Sequence, residues 1–180
     1  MIFCGGKWRK VVDFAVFLSN FVKTVTGVNI MTFFTSEYEC KLDQKGRLIL
    51  PARIKSNLPA GQEKELVIGL GFDQCLVVYP MAEFNRIYSQ IAGLSDFNPD
   101  YRRLQRNFFR GNTVVEMDSN GRFLIPRNML QYAALEKDVI VIGMGNKVEI
   151  WNPGIYRAQL YHDQAEFSQN IQKYLDSSGT

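Results

Sequence analysis

The stretch CKLDQKGRLILP, residues 40–51, returns as VEMDSNGRFLIP at residues 115–126. Asp43, Gly46, Arg47 and Pro51 recur as Asp118, Gly121, Arg122 and Pro126, each 75 positions later. A tripeptide repeats by chance, but four positions held in register across one chain point to an internal duplication.

Working outward, Tyr38, Cys40 and Leu42 alternate with Glu37, Glu39 and Lys41, the period of a half-buried strand. DQKG then places Asp43 at the first and Gly46 at the last position of a type I turn, where the Asp43 carboxylate can accept backbone N–H groups. Arg47 starts the return strand RLIL, and Pro51 can open a helix over ARIKSNL because its missing N–H would have no partner there anyway. The second copy repeats the plan: TVVEM, the turn DSNG, RFLI, Pro126, and the helical RNMLQYAAL. Further along, LVIGLG (66–71) answers IVIGMG (140–145), and LVVYP (76–80) answers VEIWNP (148–153). Phe84, Ile87, Tyr88 and Ile91 add an amphipathic helix after the first copy. A unit of roughly 45 residues barely buries enough surface to fold alone. Two copies can bury each other's apolar strand faces. The expected fold is mainly β with peripheral helices (α+β), a pseudo-twofold β-barrel built from the two copies.

Composition excludes several functions. Of 180 residues, 46% are hydrophobic, enough for a real core. The cysteines, Cys4, Cys40 and Cys75, are odd in number and form no C-x-x-C pair, so neither a disulfide framework nor a zinc knuckle is indicated. His162, the one histidine, has no partners for a triad or a metal site and reads as a solvated residue on a C-terminal helix. No catalytic residue, metal or cofactor is expected. The net charge of +3 resides in the first thirty residues, where Lys7, Arg9, Lys10 and Lys23 face Asp13 alone; the remainder carries 17 side chains of each sign. Attraction to a polyanion must therefore come from local clusters.

Residues 1–30 form a separate extension. Asp13, Ser19 and Asn20 interrupt the apolar run, no A-x-A-like site follows, and the run is too short and polar to cross a bilayer. The organised pattern begins just after Met31, which is expected to be the true initiator. A native chain that retains Trp8 in mass spectrometry would rule this out. The remaining boundaries are a first unit with its helix at 36–92, an Arg-rich helical connector at 93–110, a second unit at 111–153, and a C-terminal helix and tail at 154–180.

The paired strings LDQKGRLILP and MDSNGRFLIP, with NPDYRRLQRNFFRG between them and NKVEIWNP after, resemble the MraZ family from about Met31 onward. That resemblance implies two tandem AbrB-like, swapped-hairpin units. It also implies a cytoplasmic, nucleoid-associated transcriptional regulator, expected to repress the bacterial division and cell-wall gene cluster. Such a regulator binds repeated promoter elements in double-stranded DNA as a ring-shaped homo-oligomer, with no membrane partner and no small-molecule substrate. The extension before Met31 departs from the family pattern.

The residues suit that partner. Lys41, Lys45, Arg47, Arg53 and Lys55 stand against Asp43 alone between residues 41 and 55. Asp43 can orient the Arg47 guanidinium by a charge-assisted hydrogen bond, so little side-chain freedom is lost on meeting a phosphate or a guanine edge. The second copy offers Arg122 and Arg127, with Asn120 in place of Lys45. In AbrB-like domains, the resemblance implies, such turns and the strand and helix starts beside them face DNA. The bland alternative is that Asp43–Arg47 and Asp118–Arg122 only hold their hairpins together, with Gly46 and Gly121 as turn residues; the two roles are compatible.

In the connector, Tyr101, Leu104 and Phe108 fall on one helical face and Arg102, Arg106 and Arg110 on another, after the helix-start pair Asn98–Pro99. The arginine stripe could meet DNA or a neighbouring subunit, and the subunit joint is favoured because arginine suits interface ion pairs. GLGF (69–72) lacks the third glycine of a dinucleotide loop and reads as a strand-linking turn. Phe167, Ile171 and Tyr174 give the tail, 155–175, an amphipathic helix packed on the domain or a neighbour. The rival function is an antitoxin-like or protein-interaction module on the same scaffold, which would need a tail that folds on its partner.

Overall fold

The computed structural model describes residues 33–59, 61 and 64–177. The expectations for residues 1–30 and for Met31 lie outside the described residues. The first copy runs β1 (Glu37–Lys41), β2 (Arg47–Ile49), α1 (Ala52–Ser56), β3 (Glu65–Leu70), β4 (Leu76–Pro80) and α2 (Met81–Ala92). After α3 (Pro99–Arg110), the second runs β5 (Asn112–Glu116), β6 (Arg122–Leu124), α4 (Arg127–Tyr132), β7 (Asp138–Gly143) and β8 (Val148–Trp151). Helices α5 (Pro153–Gln159) and α6 (Gln164–Ser177) complete the described chain.

The fold is α+β, with antiparallel sheet and peripheral helices, but among the described residues the sheet does not close into a barrel. Six strands lie in the order β1-β7-β8-β4-β3-β5, and β2 pairs with β6 in a separate two-stranded ribbon. The reason lies in the hairpins. Beyond the turn, β1 and β2 meet only at the bridge between Leu42 and Leu48, so β2 leaves the large sheet and takes β6 as its partner.

Strands are exchanged between the copies. β1 pairs antiparallel with β7 of the second copy, and β5 pairs with β3 of the first. The registers correspond: Lys41 lies opposite Asp138, and the equivalent residues Glu116 and Glu65 lie opposite each other. In the ribbon Leu48 faces Phe123 directly, flanked by Arg47 opposite Leu124 and Ile49 opposite Arg122. One continuous core receives Leu48, Leu50 and Ile54 from the first copy and Phe123, Ile125 and Met129 from the second. A smaller cluster on the other face of the sheet holds Cys75, Val77, Ile140, Trp151 and Tyr156. Burial pushes the Cys75 thiol up to about 12, so it stays protonated and packs as a small apolar side chain.

Several local expectations shift. Helices α1 and α4 begin after Pro51 and Pro126, but end short of the apolar pattern, at the cap residues Asn57 and Ala133. Asn98 caps α3 by accepting the Asp100 N–H at 2.9 Å, with Pro99 in the first turn. That helix docks on α2 through Phe108, stacked on Phe84 at 6.1 Å, and Phe109, 5.4 Å from Tyr88. Gln105 Nε2 donates to the carbonyls of Ile91 and Leu94. Of the expected apolar face, Phe108 packs on α2 while Tyr101 and Leu104 remain exposed, and Phe109 and Gln105 complete the contact. GLGF is only partly a turn, since Gly69 and Leu70 belong to β3. The tail is two helices rather than one: Leu160 is extended, and Asp163 Oδ1 accepts the Ala165 N–H to start α6. His162 is exposed as expected, but sits in the break between those helices. Tyr156 in α5 is buried and donates to Glu37 at 2.7 Å, whereas Phe167 and Ile171 on the stripe of α6, expected to pack on the domain or a neighbour, are exposed in the single chain.

Candidate nucleic-acid interface

Each repeated motif folds into the same hairpin. The Gly46 N–H donates to the Asp43 carbonyl at 2.9 Å, and the Asp43 N–H to the Arg47 carbonyl at 3.0 Å; the second copy has 2.9 and 2.8 Å at the matching bonds of Gly121 and Asp118. Closing a type I turn this way requires a left-handed residue at the fourth position. Glycine supplies it twice, with φ of +77° at Gly46 and +74° at Gly121.

The aspartates do more than turn the chain. Asp43 Oδ1 accepts the N–H groups of Lys45 and Arg47, both at 2.9 Å, while Oδ2 accepts Arg47 Nε–H at 2.7 Å. Asp118 Oδ1 accepts those of Asn120 at 2.9 Å and Arg122 at 3.0 Å, and Oδ2 accepts Arg122 Nε–H at 2.8 Å. The Arg47 and Arg122 backbone N–H groups, ahead of the guanidinium bonds, hold both carboxyls below the usual 3.8. Each guanidinium is engaged through Nε, and its two terminal nitrogens have no partner among the described residues. The arginine side chains are 31% and 29% exposed, braced yet open to solvent.

The ribbon binds the two turns together. Gly46 O accepts Ile125 N–H at 3.1 Å and Gly121 O accepts Leu50 N–H at 3.0 Å, so each turn is fixed by the other copy's return strand. Side chains two apart share a face of a strand. Arg47 and Ile49 therefore point outward with Arg122 and Leu124, while Leu48 and Phe123 point into the core.

The remaining sequence-derived cations distribute unevenly. Lys45 is exposed at the tip of the first turn, and Arg53 and Arg127 are exposed at the starts of α1 and α4. Lys55 lies against the other copy's turn: a Cβ on Gly121 would sit 3.0 Å from its Nζ, whereas the equivalent contact at Gly46 is Leu130. Each turn thus has one lysine beside it, Lys45 at the first and Lys55 at the second. Lys41 is offset by Asp138 at 3.7 Å on the neighbouring strand. Arg102, Arg106 and Arg110 are carried on α3, which packs on α2 rather than on the ribbon; Arg102 donates to the Asp96 carbonyl, and Arg110 lines a cavity of about 470 Å³ beside Leu104 and Phe108.

The sequence reading missed Ile49 and Leu124, which stand exposed between the arginines, and Asp138 as the partner of Lys41. The period-two spacing from Arg47 and Arg122 was the available signal for the first two. Among the described residues no group of His, Cys, Asp and Glu could hold a metal ion, and no helix is long and apolar enough to cross a membrane.

Two like hairpins that brace arginines on one ribbon, over a core both copies fill, define an internally duplicated α+β protein. The family described as "MraZ protein, putative antitoxin-like" matches residues 33–107 and again 108–177. A protein of Cytophaga hutchinsonii named Transcriptional regulator MraZ is 53% identical over 145 residues, 81% of this chain and 96% of the relative. Proteins of the same name from Heliobacterium modesticaldum and Carboxydothermus hydrogenoformans are 42% and 34% identical, each across 79% of this chain and 97% of their own length. The chain belongs to the MraZ family.

Proposed function

We propose that this protein is a sequence-specific DNA-binding transcriptional regulator, acting as a repressor, and that Arg47 and Arg122 are its principal DNA contacts. The observation that carries this reading is the matched pair of Asp-braced arginines whose terminal nitrogens are unengaged among the described residues. Such groups lose little freedom on binding, and the guanidinium fork suits both phosphates and guanine edges. Lys45, Lys55, Arg53 and Arg127 supply the surrounding positive field, since none of them forms an ion pair among the described residues. Exchange of β1 and β5 between the copies supports a tandem swapped-hairpin scaffold, divided at 36–92, 93–110, 111–153 and 154–180. Family membership supports the finer reading: repeated promoter elements before the division and cell-wall gene cluster, a ring-shaped homo-oligomer, and a cytoplasmic, nucleoid-associated location. A ring suits a chain whose charge beyond residue 30 is balanced, because several weak sites gain affinity through effective concentration. Arg102, Arg106 and Arg110, away from the ribbon, are assigned to the joint between subunits.

Gel-shift titration of Arg47→Ala against the protein's own upstream DNA, with the assembly size measured in parallel, tests the assignment. Weakened binding at unchanged size is expected; unchanged affinity removes Arg47 from the site.

The antitoxin-like description of the family and the exposed stripe of α6 favour a second reading, in which the tail engages a partner protein. Deleting α6 would then abolish partner capture while leaving DNA binding intact.

A further inference from the structure

Ile49 is 58% exposed and Leu124 is 54% exposed. Scattered aliphatic side chains on a surface need no explanation. These two are not scattered. They occupy equivalent positions in the two copies, on the same outward face, with Leu124 opposite Arg47 and Ile49 opposite Arg122. The strands that carry them cannot yield, because Leu48 and Phe123 anchor the inner face in the core and the turn glycines are bonded to the opposite strands.

Adjacent strands lie about 4.8 Å apart and alternate residues about 7 Å apart, so the four outward side chains cover roughly two base-pair steps. The major groove, about 12 Å wide, admits a two-stranded ribbon. On its floor the methyl group of thymine is the one apolar feature, and aliphatic side chains meet it without needing a hydrogen-bond partner. A second copy of this chain would have to bury both guanidinium groups to cover the same patch. Charge therefore favours DNA over a protein surface.

We infer that the β2–β6 ribbon enters the major groove with its outward face and that Ile49 and Leu124 read thymine methyl groups, between the arginines that hold guanine edges or phosphates. This rests on the DNA-binding reading of the same ribbon and adds the apolar half of its specificity. The pseudo-symmetric placement gives one apolar reader to each side of the site.

The test compares a duplex selected from a random pool by the wild-type protein with the same duplex carrying deoxyuridine, which lacks the methyl, in place of thymine. Wild type is expected to lose about four-fold in affinity for each contacted methyl removed. The double variant Ile49→Ser, Leu124→Ser, altered only at exposed positions, should bind the thymine duplex as weakly as wild type binds the deoxyuridine one, and should not distinguish the two. Equal binding of both duplexes by wild type, or a variant that still senses the methyl, overturns the inference. So does a variant that changes the assembly size, because Ile49 and Leu124 would then face another subunit. Failure of the wild type to select any duplex, or an unweakened Arg47→Ala, Arg122→Ala variant, would instead overturn the DNA-binding reading itself.

Discussion

At the scale of single residues, Asp43 and Asp118 set the behaviour of the site, because each carboxylate accepts two backbone N–H groups and one guanidinium N–H. Their pKa values lie below 3.8, so their contribution to stability is complete above that value and is lost as pH falls through the lower, folded one. Asp43→Asn with Asp118→Asn should therefore lower stability at neutral pH and flatten its decline in acid, as measured by denaturant unfolding across that range. An acid limb as steep as that of the wild type would show that other carboxyls govern it. The two lysines separate just as clearly. Lys55→Ala, beside the second turn, should reduce the slope of log affinity against log salt by about 0.9, while Lys41→Ala should barely change it because Asp138 already offsets that charge. The turn, its glycine and the Asp–Arg pairing were all legible in the chain, being local. The Lys55 contact with Gly121 was not, since it joins residues far apart in sequence.

Among elements, the ribbon deserves the closest test, since it carries both turns and seals the core. Leu48 and Phe123 lie directly opposite each other and are almost fully buried. Leu48→Ala is expected to cost about 2–5 kcal/mol and Phe123→Ala about 3–5 kcal/mol, with a coupling of about 0.5–3 kcal/mol in a double-mutant cycle read by urea unfolding. Simple additivity would mean that the two side chains do not share one packing site. The period of two was enough to place β1, and the prolines were enough to start α1 and α4. Helix ends and faces were less legible. Pairing with α2 selected the Gln105 and Phe109 side of α3, a tertiary preference its own periodicity could not contain. The tail breaks at Leu160 because Asp163 offers a competing cap, a short polar signal inside an apolar pattern.

Across the whole molecule, the 75-residue offset revealed a duplication, and mutual burial followed from the size of each unit. The offset did not determine which strands would pair. Among the described residues, exchange of β1 and β5, and departure of β2 and β6 into their own ribbon, give a six-stranded sheet in place of the expected β-barrel. That departure matters for the proposed function, because it brings Arg47 and Arg122 onto one small face instead of two distant hairpin tips. With 17 charges of each sign beyond residue 30, the DNA-binding proposal rests on a local cluster, and that face supplies one. The most direct measurement is promoter-DNA affinity as a function of salt for wild type and for Arg47→Ala, Arg122→Ala, with assembly size checked alongside. The account predicts a steep fall with salt for wild type, and a weaker, shallower dependence for the variant at unchanged size. Superimposable curves, or no association by the wild type at low salt, would contradict it.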